Sequence, residues 1–415
     1  MRAHIRHMLT PVLLATMAGF GASTATAQDI PALSGSAHVS LISILPGDDL
    51  YSTFGHSAIR VADPVLGIDE SYNYGTFDFG DSPAEIASFI GRFTYGDLNY
   101  RLSVQNTGRM VSFYWEELGR ASVEQTLALS GREKQALFSY LRINARPDNR
   151  YYQYDFFFDN CATRLLDALE ASVGSALSFD APDTGRSFRE LLDPYLPGVP
   201  WTDFGMDLGL GLPADREATP REATFLPELL LEYVATGVID RGGRQAPLVV
   251  RTDTLTGGSD LAWEPDPDPP WPAIVLWIVF GLGTLLTVAD VKARRGRRRI
   301  LDAAFFGLLG LAGLVVVFLW FVSLHGVTDS NLNLAWALPT HLFAAWAIAR
   351  DKGLRWLGTY MALTVAIIVV LLAGFPFWRQ QLPSALIPLL LLIGVRAGSL
   401  VRVRLNSQAL PPSLP

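Results

Sequence analysis

Apolar and polar residues alternate along HVSLISIL (38–45) and HSAIRVAD (56–63). A two-residue period marks a strand with one face against a core. The stretch DPVLGID supplies a turn into a further alternating run, ESYNYGTFDFG, so the second and third runs form a hairpin. In SPAEIASFIGRF, Ser82 is placed to cap a helix and Pro83 fits its first position. YRLSVQ and SVEQTLAL alternate again, SGREKQALFSYLRINAR keeps helical spacing, YYQYDFFF reads as an aromatic strand, and the run from Cys161 is helical. This pattern predicts an α+β domain built on a mainly antiparallel sheet.

The last third is patterned differently. Five apolar segments follow one another, at roughly 273–290, 300–323, 333–349, 355–375 and 382–400. About 20 residues at ~1.5 Å rise cross a bilayer core, so each is long enough to span, the third only marginally. Ahead of them EPDPDPPWP (264–272) is too rich in proline to hold a helix or strand and reads as a stiff linker, with Trp271 suited to the membrane interface. The loops KARRGRRR and RDKGLR are basic, and the tail carries Arg402 and Arg404. SLHGVTDSN has no Lys or Arg, and the fourth loop has only Arg379. Basic loops stay in the cytoplasm, which places the N-terminal domain outside.

The amino terminus agrees. Arg2 and Arg6, an apolar run from Met8 to Phe20, and Ala25-Thr26-Ala27 before Gln28 read as a secretory signal peptide, an uncleaved signal anchor being the alternative. The mature chain would then begin at Gln28, with no cysteine there to carry a lipid. The expected organisation is a signal peptide (1–27), an exported domain (28–263), the linker (264–272), a five-helix membrane domain (273–405) and a cytoplasmic tail (406–415), in the inner membrane with the first domain in the periplasm.

Charge narrows the choice of function. With Lys+Arg 33 against Asp+Glu 40 and a net charge of −7, the chain offers no basic face for nucleic acid. It has one cysteine, Cys161, and without the signal peptide only His38, His56, His325 and His341 remain, too few and too scattered for a zinc site. No H-E-x-x-H, Walker loop or dinucleotide fingerprint is present, and no cofactor is expected.

A lone thiol outside the cytoplasm has no disulfide partner, so it is either buried or used. In YDFFFDNCATRLLDALE, Asp159 and Asn160 are capping residues and Cys161 falls in the first turn of a helix. Unpaired N–H groups and the helix dipole there are expected to lower the thiol pKa and to hold an oxyanion. The alternative is an inert core cysteine. His56, after a glycine at a strand start, is the candidate base, and His38 is read as structural. A cross-strand neighbour of His56 falls around residues 73–75; Asn73 is the candidate to orient the ring, with Asp78 competing. Ser57 beside His56 points to the opposite face and makes a poor serine nucleophile.

The blocks GDDLYSTFGHSAIRV, YNYGTFDFG, YDFFFDNCATRLLD, FGMDLGLGLPADREATPREATFLPELL and, in the membrane part, NLNLAWALPTH together resemble the Lnb-type lipoprotein N-acyltransferase family. The histidine-before-cysteine order is also similar to circularly permuted NlpC-type (papain-like) enzymes. The resemblance implies a permuted papain-like domain followed by an all-α membrane bundle of about five helices. It implies acyl transfer through a Cys161 thioester with His56 as base. The donor would be a phospholipid or lipoprotein, the acceptor a diacylated lipoprotein, and membrane lipids the surroundings. A membrane-tethered cysteine hydrolase acting on peptidoglycan, as amidase or endopeptidase, and an inactive binding module are the competing readings. His341, in an apolar segment, is either a functional residue or a hydrogen bond between helices. Asp329, Asn331 and Asn333 would line an approach to the thiol domain.

Overall fold

The computed structural model describes residues 30–49, 52–78, 82–257, 266–292, 299–350 and 355–409. The expected signal peptide, the start of the linker, most of the first basic loop, and residues 410–415 lie outside these.

β1 (His38–Ile44) and β2 (His56–Asp63) are where alternation put them, while β3 (Ile68–Thr76) starts two residues before the expected ESYNYGTFDFG run and ends at Thr76; residues 79 and 80 of that run lie outside the described residues. After Ser82, whose side chain accepts the Glu85 N–H in a reciprocal capping box, α1 runs Pro83–Tyr95. Then come β4 (Asn99–Asn106), α2 (Thr107–Ser112), β5 (Ser122–Leu127) and α3 (Gly131–Asn144). β6 is only Tyr151–Gln153, and α4 is Cys161–Val173. The expected aromatic strand YYQYDFFF is therefore cut short. Asp155 Oδ1 accepts the N–H groups of Phe157 and Phe158 at 2.9 and 3.0 Å, and this side-chain turn outcompetes the strand propensity of three phenylalanines. Phe156 and Phe157 instead pack with Phe225.

The chain continues through β7 (Leu177–Phe179), α5 (Phe188–Leu192), α6 (Pro200–Gly209), α7 (Pro220–Ala223), α8 (Pro227–Ala235), β8 (Gly237–Asp240), β9 (Gln245–Pro247) and β10 (Val249–Thr256). The main sheet has seven strands in the order β10-β5-β1-β2-β3-β4-β6, antiparallel throughout; β7, β8 and β9 form a small second sheet. On one face Leu41 and Ile59, register partners, meet Leu165, Leu166 and Leu169 of α4 and Leu230 of α8 around a void of about 10 Å³. On the other, Ile42, Ile44 and Ala58 pack on Met110 of α2. The sheet is thus covered on both sides, and α4 is held with its first turn at the end of β2 and β3.

Among the described residues the carboxy-terminal region holds four long helices, α9 (Trp271–Lys292), α10 (Arg299–Phe321), α12 (Arg355–Ala373) and α13 (Ile387–Ala409), and the short α11 (His341–Ala349). α9 begins at Trp271, two residues inside the segment assigned to the linker. Among the described residues, four helices are long and apolar enough to cross a membrane: Trp271–Asp290, Arg299–Phe321, Trp356–Ala373 and Ser384–Arg402. The third expected span, 333–349, is broken into a short turn at Leu332–Ala335 and the nine residues of α11, about 14 Å of helix. Pro339 cannot continue a helix, and the broken backbone is seated directly on α10, where a Cβ at Gly313 would lie 1.9 Å from the Ala337 carbonyl oxygen. Irregular backbone is tolerated at such depth only when protein covers it. A buried ion pair ties the helices further: Arg396 Nε donates to Asp302 Oδ1 at 2.8 Å and Nη1 to Thr287 Oγ1 at 2.6 Å, linking α13, α10 and α9.

The last carbonyls of α6 have no partner within their helix and are capped from this second region. Asn331 Nδ2 donates to the Leu208 and Gly209 carbonyls at 2.9 and 3.0 Å, and Asn333 Nδ2 to Leu208 at 3.1 Å. Gln380 Nε2 donates to Leu210 O at 3.2 Å, and the Gly211 N–H to Val327 O at 2.9 Å. Asn331 and Asn333 are buried latches and do not line an approach to the thiol; their amides are used up on these carbonyls. At Gly211 the two backbones touch: a Cβ there would sit 1.9 Å from Asp329 O. Gly211→Ala is expected to destabilise the folded chain by on the order of 1–3 kcal/mol, seen as a lower thermal midpoint in detergent. Gly205→Ala, with nothing within 4 Å of the new methyl, is the control and should not lower it.

Candidate active site

The site is built around the start of α4. Asn160, buried and extended at φ −118° and ψ −168°, accepts the N–H groups of Ala162 and Thr163 at 2.8 and 3.0 Å. Its own N–H donates to Thr163 Oγ1 at 2.8 Å. Its side-chain amide donates to Phe156 O at 2.8 Å and to Phe225 O at 2.7 Å. Cys161, next in the chain and half-buried, is placed by this cap. From the sheet, β3 reaches the same point. The β3–β4 register breaks between Asn73 and Thr76, and within that break Gly75 adopts φ +83°, a left-handed conformation that side chains disfavour. A Cβ on Gly75 would be 3.2 Å from Cys161 Cβ, so the close approach of strand to thiol needs a glycine.

His56 is the first residue of β2, opposite Ile44. Gly55, at φ +80°, turns the chain into that strand, and a Cβ there would meet Ile44 O at 2.9 Å. The His56 ring stacks on Tyr114, with centroids 6.0 Å apart and planes at 28°. Its Nε2 lies 3.2 Å from Asn73 Oδ1, and Asn73 Nδ2 donates to Ser71 O at 3.2 Å. With the amide nitrogen engaged there, the amide oxygen faces the ring and accepts the Nε2 proton, leaving the Nδ1 lone pair as the basic site. Asp78, the competing choice, pairs instead with Arg101 on the surface, Nη2 to Oδ1 at 3.1 Å. His38 lies at the far end of β1, six residues from the partner of His56, about 20 Å along the strand.

Burial controls the charge of both groups. It pushes the His56 imidazole down to about 4; the positive charge of Arg120 adds to this, and the bond to Asn73 opposes it. It pushes the Cys161 thiol up to about 11, against the pull of the Ser57, Ala162 and Cys161 N–H groups and, more weakly, of Arg120. The expectation of a low thiol pKa is thereby corrected. The helix-start donors are present and act in the expected direction, but desolvation outweighs them. At neutral pH the pair is a thiol and a neutral imidazole, with backbone donors from strand and helix converging on the sulfur.

Several members of this constellation escaped sequence reasoning. Arg120, buried and held by its Nε to Leu45 O at 2.8 Å, lies over the Tyr114 ring at 5.0 Å; neither residue had a local signal. Gly75 had one, since a glycine inside a strand pattern marks a bulge or a close approach. His325 is placed elsewhere, with Nε2 2.7 Å from Phe93 O. His341 is buried among the membrane helices, where Nε2 meets Trp336 O at 3.1 Å and Nδ1 meets the Tyr360 hydroxyl at 2.8 Å. Both of its ring nitrogens serve contacts within the bundle.

A neutral thiol has a reactivity signature. Alkylation of Cys161 by iodoacetamide is expected to accelerate roughly tenfold per pH unit between pH 7 and 9, as the thiolate fraction does below a thiol pKa near 11. A flat rate from pH 5 upward, measured by intact mass, would instead mean a preformed thiolate–imidazolium pair.

Comparison with protein families gives two matches, to the Lnb N-terminal periplasmic domain over residues 32–192 and to the Lnb transmembrane domain over residues 266–408. No curated protein and no solved structure matches the chain. The periplasmic match covers His56, Asn73 and Cys161, and the transmembrane match covers all four long apolar helices, so this is a multi-pass membrane protein with a periplasmic domain. The chain belongs to the Lnb-type lipoprotein N-acyltransferase family.

Proposed function

We propose that the protein transfers an acyl chain through a thioester on Cys161 to the N-terminal amine of a lipoprotein, in the inner membrane, with His56 as base and Asn73 as the residue that orients it. The observation that carries this reading is the convergence on one sulfur of the α4 start, the Ser57 N–H and the strand that bears His56, whose ring is held by Asn73 at 3.2 Å.

The chemistry follows from the neutral pair. As Cys161 sulfur attacks the carbonyl of a lipid ester, its proton passes to His56 Nδ1, so the nucleophile is made during the attack. The oxyanion accepts hydrogen bonds from the Cys161 and Ser57 N–H groups. Collapse breaks the ester C–O bond, and the leaving alkoxide takes the proton from His56 and departs as an alcohol, leaving the acyl-enzyme. In the second half the α-amine of a diacylglyceryl-modified cysteine attacks the thioester and gives a proton to His56. The C–S bond breaks and the proton returns to sulfur. The sum is ester plus amine giving amide plus alcohol. A phospholipid or another lipoprotein is the donor and a diacylated lipoprotein the acceptor. Both are held in the membrane, which accounts for a thiol domain latched onto a helical bundle.

Mass spectrometry of lipoprotein N-termini tests this in cells that lack their usual acyltransferase. The intact protein is expected to add an amide-linked acyl chain and the Cys161→Ala form none; no added chain with the intact protein would sink the proposal. In a purified assay His56→Ala is expected to cost about 10²–10⁴-fold in kcat, and Asn73→Ala less, up to about 10²-fold. Formation of acyl-Cys161 by the wild-type protein should fall only as pH drops toward about 4, where the imidazole takes up a proton and can no longer accept one from the thiol, whereas transfer to the amine should already slow below about pH 8 as the amine protonates.

A further inference from the structure

None of the residues of α1 is buried, yet one side of the helix is apolar. Ile86, Ile90 and Phe93, at helical spacing, are 41, 57 and 50% exposed, while Glu85, Ser88 and Arg92 make the opposite side. An isolated apolar stripe on a soluble surface is a liability; beside a bilayer it is an anchor. The helix is fixed beside the membrane part. The Leu324 N–H donates to Tyr95 O at 2.7 Å, His325 Nε2 meets Phe93 O at 2.7 Å, and the Tyr95 ring lies 6.5 Å from that of Phe318 in the last turn of α10. Phe321, Val322 and Leu324, just beyond, are themselves about half exposed and continue the apolar surface. That end of α10 is the periplasmic one, because the opposite end follows the basic loop.

From α1 a line of rings runs inward. Phe89 stacks on Phe77 at 5.5 Å, Phe77 meets Tyr100 at 5.0 Å, and Tyr100 stacks on Tyr154 at 4.0 Å. Phe77 stands two residues from Gly75, whose backbone abuts Cys161, and Tyr100 and Tyr154 lie near enough to Cys161 that a charge on its sulfur would push both phenols up. Aromatic faces offer an apolar wall that needs no hydrogen-bond partner from a hydrocarbon chain.

We propose that α1 lies in the outer interface of the bilayer with Ile86, Ile90 and Phe93 in the hydrocarbon, and that the Phe89–Phe77–Tyr100 ring line guides a lipid acyl chain from there to Cys161. The second half of this proposal rests on the acyl-transfer reading; the first half does not.

The test uses the full chain in nanodiscs of mixed zwitterionic and anionic phospholipid. In a Cys161→Ala background, nitroxide labels are placed singly at Ile86→Cys, Ile90→Cys and Ser88→Cys. Positions 86 and 90 are expected to collide with oxygen and be shielded from an aqueous nickel chelate, and position 88 to show the reverse. Equal water access at all three positions would overturn the placement of α1, whatever the enzyme does. For the route, formation of acyl-Cys161 is followed by intact mass, from bilayer phospholipid and from a water-soluble butyrate ester. Ile90→Asp is expected to slow the first at least tenfold and the second less than twofold. Equal loss with both esters, or loss with neither, would overturn the route. A wild-type chain acylated by neither ester would sink the acyl-transfer reading and the route together, leaving the labels to decide the position of α1.

Discussion

Asn160 uses its entire side-chain amide on backbone groups. Its oxygen takes the Ala162 and Thr163 N–H groups in the first turn of α4, and its nitrogen bridges the Phe156 and Phe225 carbonyls from the aromatic turn before it and the segment between α7 and α8. The turn before it, the helix after it and the Phe225 segment, 65 residues on, are thereby fixed to the residue adjoining Cys161. A helix start left without such a cap frays, and a buried amide without its carbonyls costs about 1–3 kcal/mol, so the arrangement is held from both sides. The thiol inherits its position from this cap, and its distance from β3 from the missing side chain of Gly75.

The electrostatics follow from the same packing. Cys161 sits where helix and sheet press together, and the desolvation that comes with that packing raises the thiol pKa further than the N–H donors lower it. His56 is subject to the same desolvation and, in addition, to the charge of Arg120. Two neutral partners would favour proton transfer coupled to bond formation, and the raised thiol pKa keeps the sulfur protonated on the oxidising side of the membrane.

The link between the regions is likewise made of backbone. The α6 carbonyls, the Gly211 N–H and the amides of Asn331, Asn333 and Gln380 form a set of hydrogen bonds that leaves little freedom for one part to move without the other. All of these except Gln380 fall within FGMDLGLGLPADRE and NLNLAWALPTH, two of the blocks that carry the family resemblance, and the structure gives them a physical reason that is not catalytic. The ring of His341, the last residue of NLNLAWALPTH, likewise makes a structural contact, joining the Trp336 carbonyl to the Tyr360 hydroxyl.

Local pattern by itself determined a good deal. The alternating runs gave β1 and β2 nearly to the residue and the middle of β3, Ser82 and Pro83 the start of α1, and the position after Asn160 the start of α4, because period and capping are properties of a few consecutive residues. The pairing of His56 with Asn73 was also within reach, since hairpin register is set by a short turn. What the sequence could not decide depends on groups brought together from far away. The breaking of the 333–349 segment turns on the bare surface of Gly313 in another helix, the capture of YDFFF by a turn on an aromatic cluster with Phe225, and the raised thiol pKa on desolvation by the assembled sheet and helices. Periodicity records which face of an element is apolar; the free energy of burying a charge, or of seating one backbone upon another, exists only once the opposing element has arrived.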